Sequence, residues 1–376
     1  MRNEAMLKDF MELVTTDAVS GQEDKVADIL VKKLEALGFT VTRDDAGPKL
    51  GGNCGNVIGI REGELDGALL FSSHMDRMPN GFGIKPVEKD GVLYSDGTTI
   101  LAADDLAGVC GILESFRQAI ASGKPLPRLE VVFTVQEEPG VWGSRADVLD
   151  TSVFQAKMGY VFDATGDVGR FVVKGPGRYT IDVELTGKPA HAGADPEKGI
   201  DAAKAMGEML FTLKTGRLDF ETVSNFPIVH GITARNSVCD SAGFKGEARS
   251  RDPEKLEKYM KYFDEHCRKI AAERNVGIEI VTELSYPPLN ITEDEPVLLL
   301  AKAACEKLGL TFNPEAGGGG MDANNLTGRG IRCIGCGCGY AKNHTRDEYL
   351  VLEEFFKLGQ LGTTLIELFA QQCKAK

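Results

Sequence analysis

The chain has 376 residues, 42% of them hydrophobic and 26% charged, and a formal net charge of −13. That length exceeds what one small core serves and points to two domains, while the excess of carboxylates speaks against nucleic acid, whose phosphates need surplus Lys and Arg. No apolar run reaches bilayer length, and the opening MRNEAMLKDFMELV lacks the unbroken apolar stretch of a signal peptide, so the expected setting is the cytoplasm, without a membrane partner.

In chain order, EDKVADILVKKLEALGF sets Val26, Ile29, Leu30, Leu34 and Leu37 on one helical stripe closed by Gly38. The apolar runs NVIGI, ALLFSS, LEVVFTV and GYVFD alternate with the helical segment DLAGVCGILESFRQAI, which predicts a largely parallel sheet covered on both faces. The pattern changes at VKGPGRYT. RYTIDVELTG alternates strictly, with Tyr179, Ile181, Val183 and Leu185 on one face of a half-exposed antiparallel strand. A helix, the strands FPIVHGIT and NSVCDSAGFKGEARS, a helix opening at DPEKLEKYMKYF and the strand VGIEIVTEL follow, a β-α-β-β-α-β order of ferredoxin-like type. YPPLN breaks the chain before helix–strand alternation resumes. The expected fold class is α/β: a domain with a central, mostly parallel sheet flanked by helices, 1–175 and 286–376, interrupted by an α+β ferredoxin-like domain, 176–285.

Several strand ends carry groups able to do chemistry. SSHMD places His74 and Asp76 two apart on extended chain, facing the same way, at the sheet end where ligands of open α/β sheets collect. They read either as a polar loop or as a metal-bound imidazole oriented by a carboxylate. Asp104 and Asp105 stand before a helix, as caps or as a bridge between ions. Glu137 and Glu138 follow an apolar strand directly; they form an acidic turn, or one binds a metal while the other takes a proton from water. Asp163 ends a further strand as an Asx turn or a ligand, and His344 sits in a Gly-rich loop. Each bland alternative is plausible singly, but their coincidence favours a paired-metal hydrolytic site of carboxylates and imidazole.

Nine cysteines, few and irregularly spaced, fit reduced thiols. Cys333, Cys336 and Cys338 lack the second knuckle of a structural zinc site and read as buried small hydrophobes beside His344. His266 reads as a surface residue and His230 as structural, whereas His191 stands in a Gly/Pro-flanked loop of the inserted domain.

The ordered set SSHMD, LAADDLAG, QEEPG, FDATGDVG, GKPAHAG, GITARNSVCD, GEARS, GGGGMDANNL and NHTRDE resembles the co-catalytic metallopeptidases that include peptidase T, carboxypeptidase G type enzymes and aminoacylases, and most of all the peptidase T-like branch. The resemblance implies two divalent ions per chain, zinc by preference with cobalt or manganese as substitutes. It further implies His74 and Asp163 on one ion, Glu138 and His344 on the other, and Asp104 bridging both, with a cis peptide bond to Asp105. Asp76 would hold the His74 ring and Glu137 would be the general base. From the inserted domain, His191 and Asn236 would close on the substrate, with His191 stabilising the oxyanion either within one chain or across a dimer. Two departures stand out: Leu106 replaces the Lys or Arg that many relatives carry after the Asp pair, and FDATG replaces a commoner Asp-Gly start.

The activity so implied is hydrolysis of short peptides, foremost a tripeptide aminopeptidase. A carboxypeptidase, dipeptidase or N-acyl amino acid deacylase would use the same ions but need a cationic clamp, for which Arg249 and Arg235 are candidates; structural ion pairing competes for both. A thiolate-dependent redox or Fe–S protein using the cysteine cluster, and a non-catalytic family member that binds a peptide or metal, are the remaining alternatives. The sheet edge of the inserted domain offers a surface for a homodimer.

Overall fold

The apolar run that ends in SSH forms the strand Leu65–His74, buried without a break from Ala68 to His74. Its neighbours Pro127–Thr134 and Met158–Ala164 run parallel to it, and Arg332–Gly337 pairs parallel to Met158–Ala164. Strands covered on both faces have no solvent side to make polar, which is why runs such as Ala68–Phe71 and Val131–Phe133 are apolar without alternation. The structure, a computed structural model, describes residues 2–231 and 233–374. It divides into two units, Met1–Gly175 with Leu289–Lys376, and Pro176–Pro288.

The nine-stranded sheet of the first unit has the order Thr40–Arg43, Val57–Arg61, Pro127–Thr134, Leu65–His74, Met158–Ala164, Arg332–Gly337, Arg170–Gly175 and Leu289–Asn290, with Asn313–Ala316 also paired to Arg170–Gly175. The expectation of a mostly parallel sheet holds at its centre; the whole is mixed, because Thr40–Arg43, Val57–Arg61 and Leu289–Asn290 join antiparallel towards the two ends. Parallel pairing aligns the carboxyl ends of the central strands, so His74, Thr134 and Ala164 come out on one side of the sheet.

The helix Ala103–Ala121 packs on this sheet and on the C-terminal helix Leu352–Lys374. A Cβ at Gly108 would stand 1.9 Å from the carbonyl oxygen of Phe162, so glycine there lets the helix that follows Asp104 press against the strand carrying Asp163. A small antiparallel sheet, Tyr340–Ala341, Tyr349–Val351, Val92–Ser95 and Pro86–Lys89, completes the unit. Its first two strands pair Tyr340 with Leu350 and Ala341 with Tyr349, which closes the loop containing His344.

The second unit is an antiparallel sheet in the order Gly216–Arg217, Thr222–Gly231, Ser241–Ser250, Gly177–Thr186, Gly277–Tyr286. With the helices Ala202–Thr212 and Pro253–Arg274 it gives the β-α-β-β-α-β arrangement and a separate core around Ile181, Val183, Phe244 and Phe263. The last strand continues through Tyr286, opposite Arg178, so the unit extends to Pro288 rather than 285. Ile232, in the expected strand FPIVHGIT, lies outside the described residues. Among the described residues no helix is long and apolar enough to cross a membrane.

Arg77 is fully buried. Its guanidinium donates to the carbonyls of Leu13 (3.0 Å), Val14 (2.9 Å) and Thr16 (2.7 Å) at the end of the helix Glu4–Val14, which has no basic residue in its own last turn. A planar cation satisfies several orphan carbonyls at the negative end of the helix dipole, and so fastens this helix to the residue after Asp76. Burial lowers the Arg77 pKa to about 10, still well above neutrality. Arg77→Met fills similar space but leaves the carbonyls without donors, and is expected to cost about 2–4 kcal/mol. Denaturant midpoints of the two proteins check this; a change under about 0.5 kcal/mol, the range of ordinary surface substitutions, would remove the capping role.

Candidate functional site

At the aligned strand ends, Asp104 lies between two imidazoles. Its Oδ1 is 3.2 Å from His74 Nε2 and its Oδ2 is 3.3 Å from His344 Nε2. On the first side Asp163 Oδ1 stands 3.8 Å from His74 Nε2; on the second, Glu138 Oε2 stands 2.8 Å from His344 Nε2. Ligand atoms of His74, Asp104 and Glu138, of His74, Glu137 and Asp163, and of Asp104, Asp105 and Asp163 lie in groups within 4.8 Å, a spacing that could hold metal ions. The Asp104–Asp105 peptide bond is cis.

Asp76 organises two of the motifs at once. Its Oδ1 is 3.2 Å from His74 Nδ1 and accepts the backbone N–H of Glu137 at 2.9 Å. Its Oδ2 accepts the hydroxyl of Ser20 at 2.6 Å and the N–H of Glu138 at 3.3 Å. One fully buried carboxylate thus orients the first histidine, leaving Nε2 toward the site, and fixes the Glu-Glu turn.

So much buried acid sets the electrostatics. Burial, with Asp163 adding repulsion, pushes the Glu137 carboxyl well above its ordinary range, and burial does the same to Asp163 and Asp105. Burial also works to raise Asp104, but hydrogen bonds to His344 and His74 outweigh it and hold that carboxyl below its usual range. Burial would lower His74; Asp104 and Asp76 outweigh it and raise the imidazole well above its ordinary value. Hydrogen bonds to Asp104 and Glu138 lift His344 to about 10. These groups call for positive charge, and a divalent cation balances them as two imidazolium protons otherwise would.

Other residues complete the site without having been singled out in the sequence. The Tyr340 hydroxyl lies 3.1 Å from Asp104 Oδ1 and 3.3 Å from Asp163 Oδ1, and Asn343 Nδ2 donates to Asp104 Oδ2 at 2.5 Å. Ser73 donates to the Asp105 carboxylate, and Asp322 accepts from Thr134 Oγ1 at 2.5 Å. Glu23 accepts the N–H groups of Gly21 and Gln136, the residue before Glu137. Glu348 accepts three backbone N–H groups around Asp104. Burial raises both Glu23 and Glu348 to about 7. Asn343 and Glu348 lie inside NHTRDE and Asp322 inside GGGGMDANNL, which was the available signal; Tyr340 stands outside these motifs. Leu106 is wholly buried in the apolar core.

His191, Asn236 and Arg249 belong to the second unit. His191 Nδ1 accepts the N–H groups of Gly193 (3.1 Å) and Ala194 (3.0 Å), which places the proton of the neutral ring on Nε2. Ala192 N–H donates to the Asn236 carbonyl at 2.9 Å, bringing these two loop segments together. Arg249 makes a two-point ion pair with Glu247, at 2.7 and 3.0 Å. His230 pairs with Glu184 and His266 bonds Thr212.

Residues 70–368 match the family described as Peptidase family M20/M25/M40. The chain belongs to this family. Two solved structures resemble it over nearly its whole length. The aminopeptidase PepT of Bacillus cereus is 36% identical with a TM-score of 0.87, covering 97% of this chain and 98% of its own. A tripeptidase of Staphylococcus aureus is 34% identical with a TM-score of 0.90, covering 99% and 100%. The uncharacterized protein YqjE of Bacillus subtilis is 34% identical over 363 residues, 96% of this chain and 97% of its own length. The chain is thus a peptidase-family hydrolase with a peptidase T-like fold.

The cysteines stand apart from this site. Cys333, Cys336 and Cys338 are fully buried, burial raises all three thiols, and no group of possible metal ligands among the described residues includes one. Of the nine cysteines eight are buried and Cys373 is partly exposed. A colorimetric thiol titration should therefore find no more than one fast-reacting group in the folded protein and all of them after denaturation. Rapid modification of several thiols, with loss of activity, would restore a thiolate role.

Proposed function

We propose that this chain is a metal-dependent exopeptidase that removes the N-terminal residue from short peptides, tripeptides foremost, with two divalent ions held at the strand ends. The observation that carries the proposal is Asp104 with one carboxylate oxygen toward each histidine. A carboxylate so placed suits a pair of ions sharing one ligand. The donors fit such ions: His74, Asp104 and Asp163 for one, and Glu138, Asp104 and His344 for the other. Glu138 Oε1 is buried with no hydrogen-bond partner among the described residues, as a ligand oxygen would be. Carboxylates mixed with imidazole suit zinc, and cobalt or manganese in its place.

When bound, the ions supply positive charge that polarises the scissile carbonyl and acidifies water. Glu137, beside these ligands, takes the proton of the attacking water and delivers it to the leaving amine. Asp76 keeps the His74 ring turned so that Nε2 faces the site. The resemblance assigns His191 and Asn236, of the second unit, to the substrate, and the Nε2–H of His191 is a donor suited to an oxyanion. The choice of N-terminal cleavage draws on the likeness to the Bacillus cereus aminopeptidase and the Staphylococcus aureus tripeptidase. A carboxypeptidase or deacylase would need a free cation for the substrate carboxylate; Glu247 already engages Arg249, which leaves the exposed Arg235 as the candidate for that reading. Two further elements belong to the same proposal. The eight buried cysteines form no disulfide, which suits a reducing cytoplasm. The edge strand Gly277–Tyr286 exposes Val281 and Leu284, which suits pairing with a second copy.

The protein reconstituted with zinc, cobalt or manganese is expected to cleave tripeptides with a free N-terminus and to spare N-blocked ones. Glu137→Ala should lower kcat by about 10²–10⁴-fold, the usual worth of a general base, with metal content unchanged. Cleavage confined to N-blocked substrates would move the protein to the deacylase or carboxypeptidase class. An active Glu137→Ala variant would remove Glu137 as base.

A further inference from the structure

His344 is carried by an exposed loop whose own fastenings are few: Asn343 Nδ2 donates to Asp104 Oδ2 at 2.5 Å and Thr345 Oγ1 to the Lys342 carbonyl at 2.7 Å. Lys342 and the stretch from His344 to Asp347 are exposed, and Lys342 and His344 both adopt positive φ, 56° and 64°. Side chains resist that conformation unless something outside the loop fixes it. The next residue, Glu348, is the opposite: 1% exposed and fully hydrogen-bonded. Its Oε2 accepts the backbone N–H groups of Leu101 and Ala102, both at 2.8 Å, and its Oε1 accepts that of Asp104 at 3.0 Å. Ala102 itself has φ +57°, and Asp104 and Asp105 depart from helical geometry although they lie within the helix Ala103–Ala121. The segment presenting Asp104 therefore departs from regular helix geometry, and a side chain four residues after His344 accepts three of its N–H groups.

We propose that Glu348 is a positioning residue that joins the loop of His344 to the segment of Asp104, and that the ion site closed by His344 depends on it far more than its neighbour does. The inference rests on the two-ion proposal above. The asymmetry follows from where the ligands stand. His74 and Asp163 end buried strands of the central sheet, so their site takes only Asp104 from the segment that Glu348 holds. The other site takes both Asp104 and His344 from the two segments that Glu348 joins. A charged acceptor shared by three N–H groups is strong and directional, and an amide at the same place would turn an N–H₂ toward at least one donor.

The test is a titration of the metal-free protein with cobalt(II), read by visible absorption and calorimetry, on the parent and on Glu348→Gln. The expected result is two bound ions in the parent. In Glu348→Gln one ion should bind about as in the parent and the other should weaken about 10–100-fold, the usual effect of disturbing the support of a ligand. Melting of the metal-free proteins accompanies the titration. Two ions bound by Glu348→Gln as tightly as by the parent, or an equal loss of both in a folded variant, overturns the role of Glu348 and leaves the two-ion proposal standing. Fewer than two ions in the parent sinks both. If Glu348→Gln does not fold without metal, Glu348→Asp, which keeps the charge on a shorter arm, decides. Selective loss of one ion in that variant supports the proposal; full binding, or failure to fold, makes Glu348 a residue of folding alone.

Discussion

Crowding Asp76, Asp104, Glu137, Glu138 and Asp163 into one buried place is the constraint to which the rest of the first unit answers. Left to themselves these carboxylates would repel one another and resist desolvation, and nothing about a hydrophobic core would bring them together. The parallel centre of the sheet does so by force: strands buried for their apolar content must end somewhere, and parallel pairing makes them end side by side. The cost of the acidic cluster is thus carried by the burial of segments such as Ala68–Phe71 and Leu129–Phe133, which contribute nothing to chemistry themselves.

Holding the cluster in register falls to carboxylates that accept backbone N–H groups. Asp76 takes those of Glu137 and Glu138, Glu23 that of Gln136, and Glu348 those of Leu101, Ala102 and Asp104. In each case a side chain from one segment fixes the main chain of another that has left regular structure; Gln136 and Ala102 both have positive φ. Charge-assisted bonds of this kind are short and directional, and burial strengthens them. They set the backbone first and let the ligand side chains follow. Arg77 repeats the device with the sign reversed, a buried cation accepting responsibility for orphan carbonyls at a helix end.

This division explains what the sequence disclosed. His74, Glu138 and Asp163 could be placed at one end of a sheet because each ends or follows an apolar run; the roles expected of them, and of Asp104 and His344, came from the ordered set of motifs and the family resemblance rather than from local pattern. The supporting roles of Glu348, Glu23 and Arg77 were not legible: Glu348 stands in NHTRDE and Glu23 opens EDKVADIL, but a charge in a sequence looks solvated, and only contacts tens or hundreds of residues away show it to be buried. Glu348 reaches Leu101 across 247 positions. The sheet was legible as parallel where helices intervene between strands, but the antiparallel joining of Val57–Arg61 and Leu289–Asn290 depends on where each strand finds an open edge, which periodicity does not encode. The cysteines near His344 were separable from it by spacing, and their burial among core residues has the same cause as their neighbours': the strand Arg332–Gly337 lies inside the sheet.

The two histidines differ in a way that bears on how such a site would work. His74 is 1% exposed and rests on a strand, whereas the His344 side chain is 45% exposed on a loop. A buried ligand on a rigid element keeps its geometry whatever binds; an exposed one on a loop is easier to reach for water and substrate alike. Asp104 couples the two, since its carboxylate faces both. An arrangement of this kind gives one firmly held position and one adjustable position that share a ligand, and the adjustable one is as good as the contacts that fix its loop. Those contacts are few. Asn343 reaches the Asp104 carboxylate and Glu348 reaches the Asp104 backbone, so the residue proposed to serve both ions is also what the loop is fastened to.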